Sequence, residues 1–120
     1  MPYLYLYGTH VVYDDIGRGR PVVLVADEAS RWPARLPAGF RFILPDLPGY
    51  GRTGGDRLSP EEAAEFLVGM MTMLNLSEAP VVARGVGVAV AKVLSERMGL
   101  APPCVAEDDP ALDRCLDRLK

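Results

Sequence analysis

The sequence predicts one α/β domain over residues 1–120, a three-layer α/β/α arrangement around a mostly parallel sheet that opens on an N-terminal β-hairpin. Three observations lead there. Short apolar, β-branched runs at 22–26, 40–44 and 80–83 read as strands buried on both faces. Segments with helical apolar spacing lie between and after them. Gly/Pro-rich turns separate the elements, and strand–helix alternation of this kind gives a sheet with helices on both sides. The length suits one core, and a hydrophobic share of 49% is that of a folded chain.

The elements follow in order. Residues 3–7 alternate Tyr and Leu, the period of a strand with two unlike faces. Gly8-Thr9 is the expected turn, and 10–14 the partner strand. Tyr3, Tyr5 and Tyr7 share one face and read as packing or surface cover. Gly17, Gly19 and Pro21 break the chain before the buried strand 22–26. A short helix is expected over 30–36, interrupted by Pro33, with Ser30 as its cap and Trp32 as a core or rim residue. Strand 40–44 leads into a loop, 46–57, that holds four glycines.

Ser59-Pro60-Glu61-Glu62 is a strong helix start, with a capping serine, Pro at the first helical position and Glu62 closing a capping box. Ala63, Leu67, Met70, Met71 and Leu74 fall on one face of that helix, and Met70, Met71 and Met73 are expected to fill core gaps. Strand 80–83 precedes a helix over 87–97 whose Ala89, Val90, Val93 and Leu94 should face inward. A weak strand is expected at 104–106. A final helix starts at Pro110, with Leu112, Cys115, Leu116 and Leu119 on one side.

Composition narrows the function. Net charge is −3 with both signs scattered, so no basic stripe marks a nucleic-acid surface. No apolar run approaches bilayer length, and no export signal is evident, so a cytoplasmic protein without a membrane partner is expected. Cys104 and Cys115 fit no zinc spacing and, in a reducing compartment, are expected as free thiols. With His10 the only histidine, no metal is expected; no phosphate-loop motif occurs, so no cofactor is expected either.

Three runs carry a family resemblance. YDDIGRGRPVVLV (13–25) is similar to the opening of α/β-hydrolases, where a hairpin passes through Gly-x-Gly-x-Pro into the first buried strand. LPDLPGYGRT (44–53) resembles the segment after the next strand of that family. PVVARGVGVAVA (80–91) falls where the nucleophile elbow should be. The match covers residues 3–100 and resembles only the N-terminal part of the family, a truncated α/β-hydrolase-like fold.

The resemblance implies a chemistry whose parts are missing here. The family places Ser, Asp or Cys at the centre of G-x-S-x-G. A His takes its proton, an acid orients the His, and two backbone N–H groups face the oxyanion. At that centre stands Gly85, and no Ser or Asp occurs between Val81 and Leu94. The family's base belongs beyond Lys120, and His10 sits in the hairpin. The family's His-Gly is replaced by Ala26-Asp27, which breaks the pattern of the second oxyanion donor.

A non-catalytic protein is therefore expected, with no catalytic residue. Its candidate pocket lies at the C-terminal ends of the strands, where such sheets bind ligands, and comprises Asp27, Glu28, Tyr50, Arg52, Arg84, Gly85 and Val86. The Val86 N–H at a helix start, with Arg84 beside it, suits a small anionic molecule. A partner protein is the other occupant. Against both stands an internal pair of Glu28 with Arg84 that plugs the pocket. Two further readings stay open. One is a hydrolase with a non-standard or partner-completed site, using Asp27, Glu28 or Cys104. The other is a structural subunit that forms a homodimer through the sheet edge exposed by truncation.

Overall fold

Residues 2–120 are described by a computed structural model. Strand β1 (Tyr3–Leu6) turns into β2 (Thr9–Gly17) through a two-residue loop, because Leu6 pairs with Thr9. The turn is thus Tyr7-Gly8 rather than Gly8-Thr9. Both residues take positive φ, 49° and 77°, the mirror-image turn whose twist matches a hairpin. Strands β3 (Arg20–Val25), β4 (Phe40–Pro45), β5 (Val81–Ala83) and β6 (Cys104–Val105) complete a six-stranded sheet in the order β1-β2-β4-β3-β5-β6. The hairpin adds antiparallel to β4. The pairs β4–β3, β3–β5 and β5–β6 are parallel.

Helices α1 (Pro60–Met73) and α2 (Gly87–Met98) cover one face, and α3 (Asp109–Asp117) lies on the other. The alternate residues Val23 and Val25 of β3 feed the α1/α2 core, while Val22 and Leu24 feed the core under α3 and Trp32. One strand supplying two cores explains its unbroken apolar run. The capping box forms as expected: Ser59 Oγ accepts from Glu62 N–H, and Glu62 Oε1 accepts from Ser59 N–H. Asp108 caps α3, with Pro110 in its first turn.

Several expectations need correction. The helix over 30–36 is a single 3₁₀ turn, Ala29–Arg31. Trp32 precedes Pro33 and is driven to extended backbone (φ −97°, ψ 158°), the restriction a following proline imposes. Ser30 sits inside that turn and does not cap it; its hydroxyl donates to the Glu28 carboxylate. In α2, Ala89 is exposed and Ala91 buried. The inward face runs through Gly87, Val90, Ala91 and Leu94, with Val93 at its margin. Met73 is 56% exposed while Met70 and Met71 are buried, since position 73 lies about 200° round the helix from 71.

The two cysteines are bridged rather than free: Cys104 in β6 bonds to Cys115 in α3. The strand brings one cysteine beneath the inward face of the helix that carries the other. Among the described residues, no helix is long and apolar enough to cross a membrane, and no group of three or more His, Cys, Asp or Glu is placed to hold a metal.

Candidate functional site

Three loops meet at the C-terminal ends of β3, β4 and β5. The sharpest is the turn from β5 into α2. Gly85 there has φ 57°, which only glycine adopts without penalty, and a Cβ built on it meets nothing within 4 Å. Gly87 is under the opposite constraint. A Cβ on it would overlap the carbonyl oxygen of Val25 and come 2.7 Å from Ala26 Cα, so the first residue of α2 must be glycine for the helix to sit this close to β3.

The N–H groups of Gly85, Gly87 and Val88 are engaged, while that of Val86 meets no acceptor among the described residues. Gly87 and Val88 donate to the carbonyls of Arg84 and Gly85. Gly85 N–H donates to Glu107 Oε1 at 2.9 Å. A carboxylate of the chain itself thus stands at the start of α2, where the helix dipole and free N–H groups attract negative charge. Val86 is 52% exposed and Val105, at the end of neighbouring β6, is 45% exposed. Both are apolar side chains open to solvent at the elbow end of the sheet.

Arg84 is a strut. Its Nε donates to Ala106 O at 2.7 Å, one terminal nitrogen to Arg31 O at 2.6 Å, and the other to Asp109 at 3.2 Å. Its guanidinium lies 4.3 Å from the centre of the Trp32 ring. The expected Glu28–Arg84 pair does not form, because the carbonyls and Asp109 reach Arg84 from both neighbouring loops. Asp27 instead pairs with Arg31 at 2.9 Å, and the same oxygen accepts Glu28 N–H at 2.8 Å. That N–H belongs to the loop which, in the family, follows the first buried strand; here it faces the chain's own carboxylate.

Arg52 is held in the same way. Its Nε donates to Asp46 Oδ2 at 2.7 Å and a terminal nitrogen to Asp14 at 2.8 Å. Asp46 is only 1% exposed. It also accepts the N–H groups of Ala29 (2.7 Å) and Arg52 (2.8 Å). Burial alone would raise its pKa, but the Arg52 guanidinium and the two N–H donors outweigh burial and hold the carboxyl below the usual range. The two carboxylates facing Arg52 push its own pKa up further still, so it stays a cation. Tyr50 has Arg57 over one face of its ring at 4.3 Å.

The structure therefore divides the seven candidate residues. Glu28 and Arg52 line a cavity of about 530 Å³ with Asp14, Ser30, Trp32 and Asp46. Arg84, Gly85 and Val86 lie outside it, and Asp27 and Tyr50 are tied into their own loops. His10 packs between Tyr3 and Tyr5 on the hairpin. It lies three strand spacings from β5, about 14 Å at normal sheet geometry, so no histidine is near Gly85; the titratable group beside it is Glu107. Sequence reasoning missed Glu107, Asp109 and Asp46. Asp46 stands inside the LPDLPGYGRT run and could have been found there; Glu107 carries no local signal and reaches Gly85 from 22 residues away.

No protein-family model matches the chain, and no curated protein does. Among solved structures, the chain is 49% identical to TT1977, covering 96% of this chain and 95% of that one with a TM-score of 0.83. A mutant of the meta-cleavage product hydrolase from Pseudomonas fluorescens IP01 is 23% identical, over 88% of this chain and 45% of its own, with a TM-score of 0.72. The enol-lactonase from Burkholderia xenovorans LB400 is 22% identical, over 88% and 47%, also with a TM-score of 0.72. The chain spans less than half the length of these two enzymes, and the likeness to them is one of fold.

Proposed function

From the premise that this chain belongs to one family with TT1977 and is a short α/β-hydrolase-like form, we propose that it is a non-catalytic protein whose former active-site face docks a partner protein. One observation carries this reading. At the elbow there is no nucleophile, the N–H of Gly85 is taken by Glu107, and the exposed large apolar side chains there are Val86 and Val105. A surface of that kind offers apolar contact rather than chemistry.

A small anion is the second reading, favoured by the start of α2 and by Arg84. It is the weaker one. Arg84 and Arg52 are already engaged, and an anion at Gly85 would have to displace a tethered carboxylate. Acetate or phosphate, titrated while the amides of residues 84–88 are followed by NMR, is expected to leave them unmoved in the wild type and to shift them in Glu107→Ala. A saturating shift in the wild type would restore the anion reading.

The partner open to direct test is a second copy, through the β6 edge. We expect a concentration-dependent dimer mass in light scattering that Val105→Asp abolishes; one-chain mass at every concentration would remove the self-partner reading. β6 has only two residues, and so short an edge limits backbone pairing, which puts the weight on the two valines. A cytoplasmic setting is part of this proposal; the Cys104–Cys115 bridge counts against a reducing compartment, and fractionation of cells expressing the chain tests it.

Hydrolysis is the competing class. Gly85→Ser puts the family's hydroxyl at the elbow, in open space. The variant is expected to fold and to show no turnover of p-nitrophenyl acetate above background, because no histidine is in reach, the nearby Glu107 carboxylate is held on the Gly85 N–H, and the Glu28 N–H faces Asp27. Ester turnover by the wild type that Gly85 or Arg84 substitutions abolish would overturn the non-catalytic reading.

A further inference from the structure

A groove of about 400 Å³ lies away from the elbow, between the hairpin turn, the Gly-rich loop and the first half of α1. That volume is within the range of small-molecule sites. Its walls are apolar and aromatic: Tyr7, Phe66 and Leu58 line it, with the Tyr7 and Phe66 rings edge to face, 84° apart with centres 5.2 Å distant. Its charged lining is of one sign. Asp56, Glu62 and Glu65 line it, and no lysine or arginine does so among the described residues.

The carboxylates differ in what they already hold. Glu65 is met by Arg97 from α2, and Glu62 accepts the N–H of Ser59 in the capping box. Asp56 has no hydrogen bond or ion pair among the described residues. The aromatic wall is fixed in place. Tyr7 sits in the left-handed region at φ 49°, a conformation that asparagine or glycine adopts more readily. Its ring crosses α1 from Phe66 to Gly69; a Cβ on Gly69 would lie 3.7 Å from the Tyr7 hydroxyl. Although anchored in this way, Tyr7 is 69% exposed, so much of the side chain remains open to the groove and to solvent.

We propose that this groove binds a small organic cation, an ammonium group carried on an apolar body. An anion is repelled by the Asp56 and Glu62 carboxylates. A neutral apolar molecule gains contact with the rings but nothing from the carboxylates. A cation gains both, because the ring faces carry negative quadrupole density and Asp56 and Glu62 supply net negative charge. The apolar body lies against Tyr7, Phe66 and Leu58. This site shares no residue with the elbow face, so the two readings stand or fall separately.

The test uses choline and its neutral isostere 3,3-dimethylbutan-1-ol, with the ring protons of Tyr7 and Phe66 followed by NMR. Choline is expected to saturate in the millimolar range, at least ~10-fold tighter than the isostere, from cation–π and charge contributions together. Asp56→Asn and Tyr7→Asn should each weaken choline by ~3-fold or more, and salt should weaken it in the wild type but less in Asp56→Asn. Tyr7→Asn suits the turn's positive φ, so loss of binding there is not loss of fold. The proposal is overturned if the isostere binds as well as choline, if neither variant alters choline binding, or if choline produces no saturable shift. A lysine-containing peptide that binds more tightly than choline overturns the assignment to a free small cation.

Discussion

Gly87→Ala is expected to destabilise the protein by about 3 kcal/mol or more, toward the upper end of overpacking costs. The added methyl overlaps the carbonyl of Val25 and lies 2.7 Å from Ala26 Cα. Both are backbone atoms of a strand end held between β4 and β5, so neither can step aside as a flexible side chain would. Relief requires α2 to lift away from β3, which opens the packing of Val90, Ala91 and Leu94 against the sheet. Urea or thermal unfolding measures the effect; for a chain of this size the melting temperature should fall by roughly 10 °C. Gly85→Ala is the internal comparison. Its methyl meets nothing, and it bears only the left-handed backbone penalty of about 1 kcal/mol. If the two variants are equally stable, α2 is not seated on β3 as described.

The second large effect belongs to Asp46, whose carboxylate ties three segments together. It accepts from the N–H of Ala29, the N–H of Arg52 and the Arg52 guanidinium, while its own carbonyl accepts the Thr53 hydroxyl at 2.6 Å. That hydroxyl in turn accepts Val12 N–H at 2.9 Å, which fastens the hairpin to the loop. Asp46→Ala leaves two N–H donors unpaired and Arg52 with only part of its charge partner. A loss of about 3 kcal/mol is expected, mainly from the two N–H donors left unpaired, since Arg52 is partly exposed and keeps Asp14.

The pH dependence has a definite sign. The folded carboxyl of Asp46 titrates below its unfolded value near 3.9, so its contribution is complete above about pH 4. It is lost as the pH falls through the lower, folded value. The Asp15 carboxyl, bound by Arg41, is lowered as well and acts in the same direction. Stability curves of wild type and Asp46→Asn should therefore converge as the pH drops below 4. Curves that stay parallel across that range would show that Asp46 is not the charged hub described here.

Local features were the most legible part of the fold. The capping box at Ser59, the buried strands and the helix after Pro110 follow from residue spacing within a few positions, and local spacing is what a sequence displays. The failures share one cause. Whether Ala89 or Ala91 faces inward depends on where Gly87 seats α2, and whether Cys104 meets Cys115 depends on where α3 lands over β6. At the candidate site the three loops could be foreseen because sheet topology brings strand ends together. Their internal pairing could not: Arg84 had Glu28 as its expected partner and found Asp109 and two carbonyls, which lie 22 to 53 positions away in the chain.

What the amino-acid order determined unaided is covalent or local: a glycine at the elbow, a lone histidine placed early in the chain, and alternating elements that can close only as a layered α/β sheet. Only the tertiary structure decided how charge is distributed over that sheet's C-terminal edge. Hydrogen bonds act over about 3 Å, and which donors come within that range is settled by the crossings of distant strands and helices. The structure thus set Glu107 on Gly85 and bound Arg52 to Asp46, leaving Val86 and Val105 facing outward.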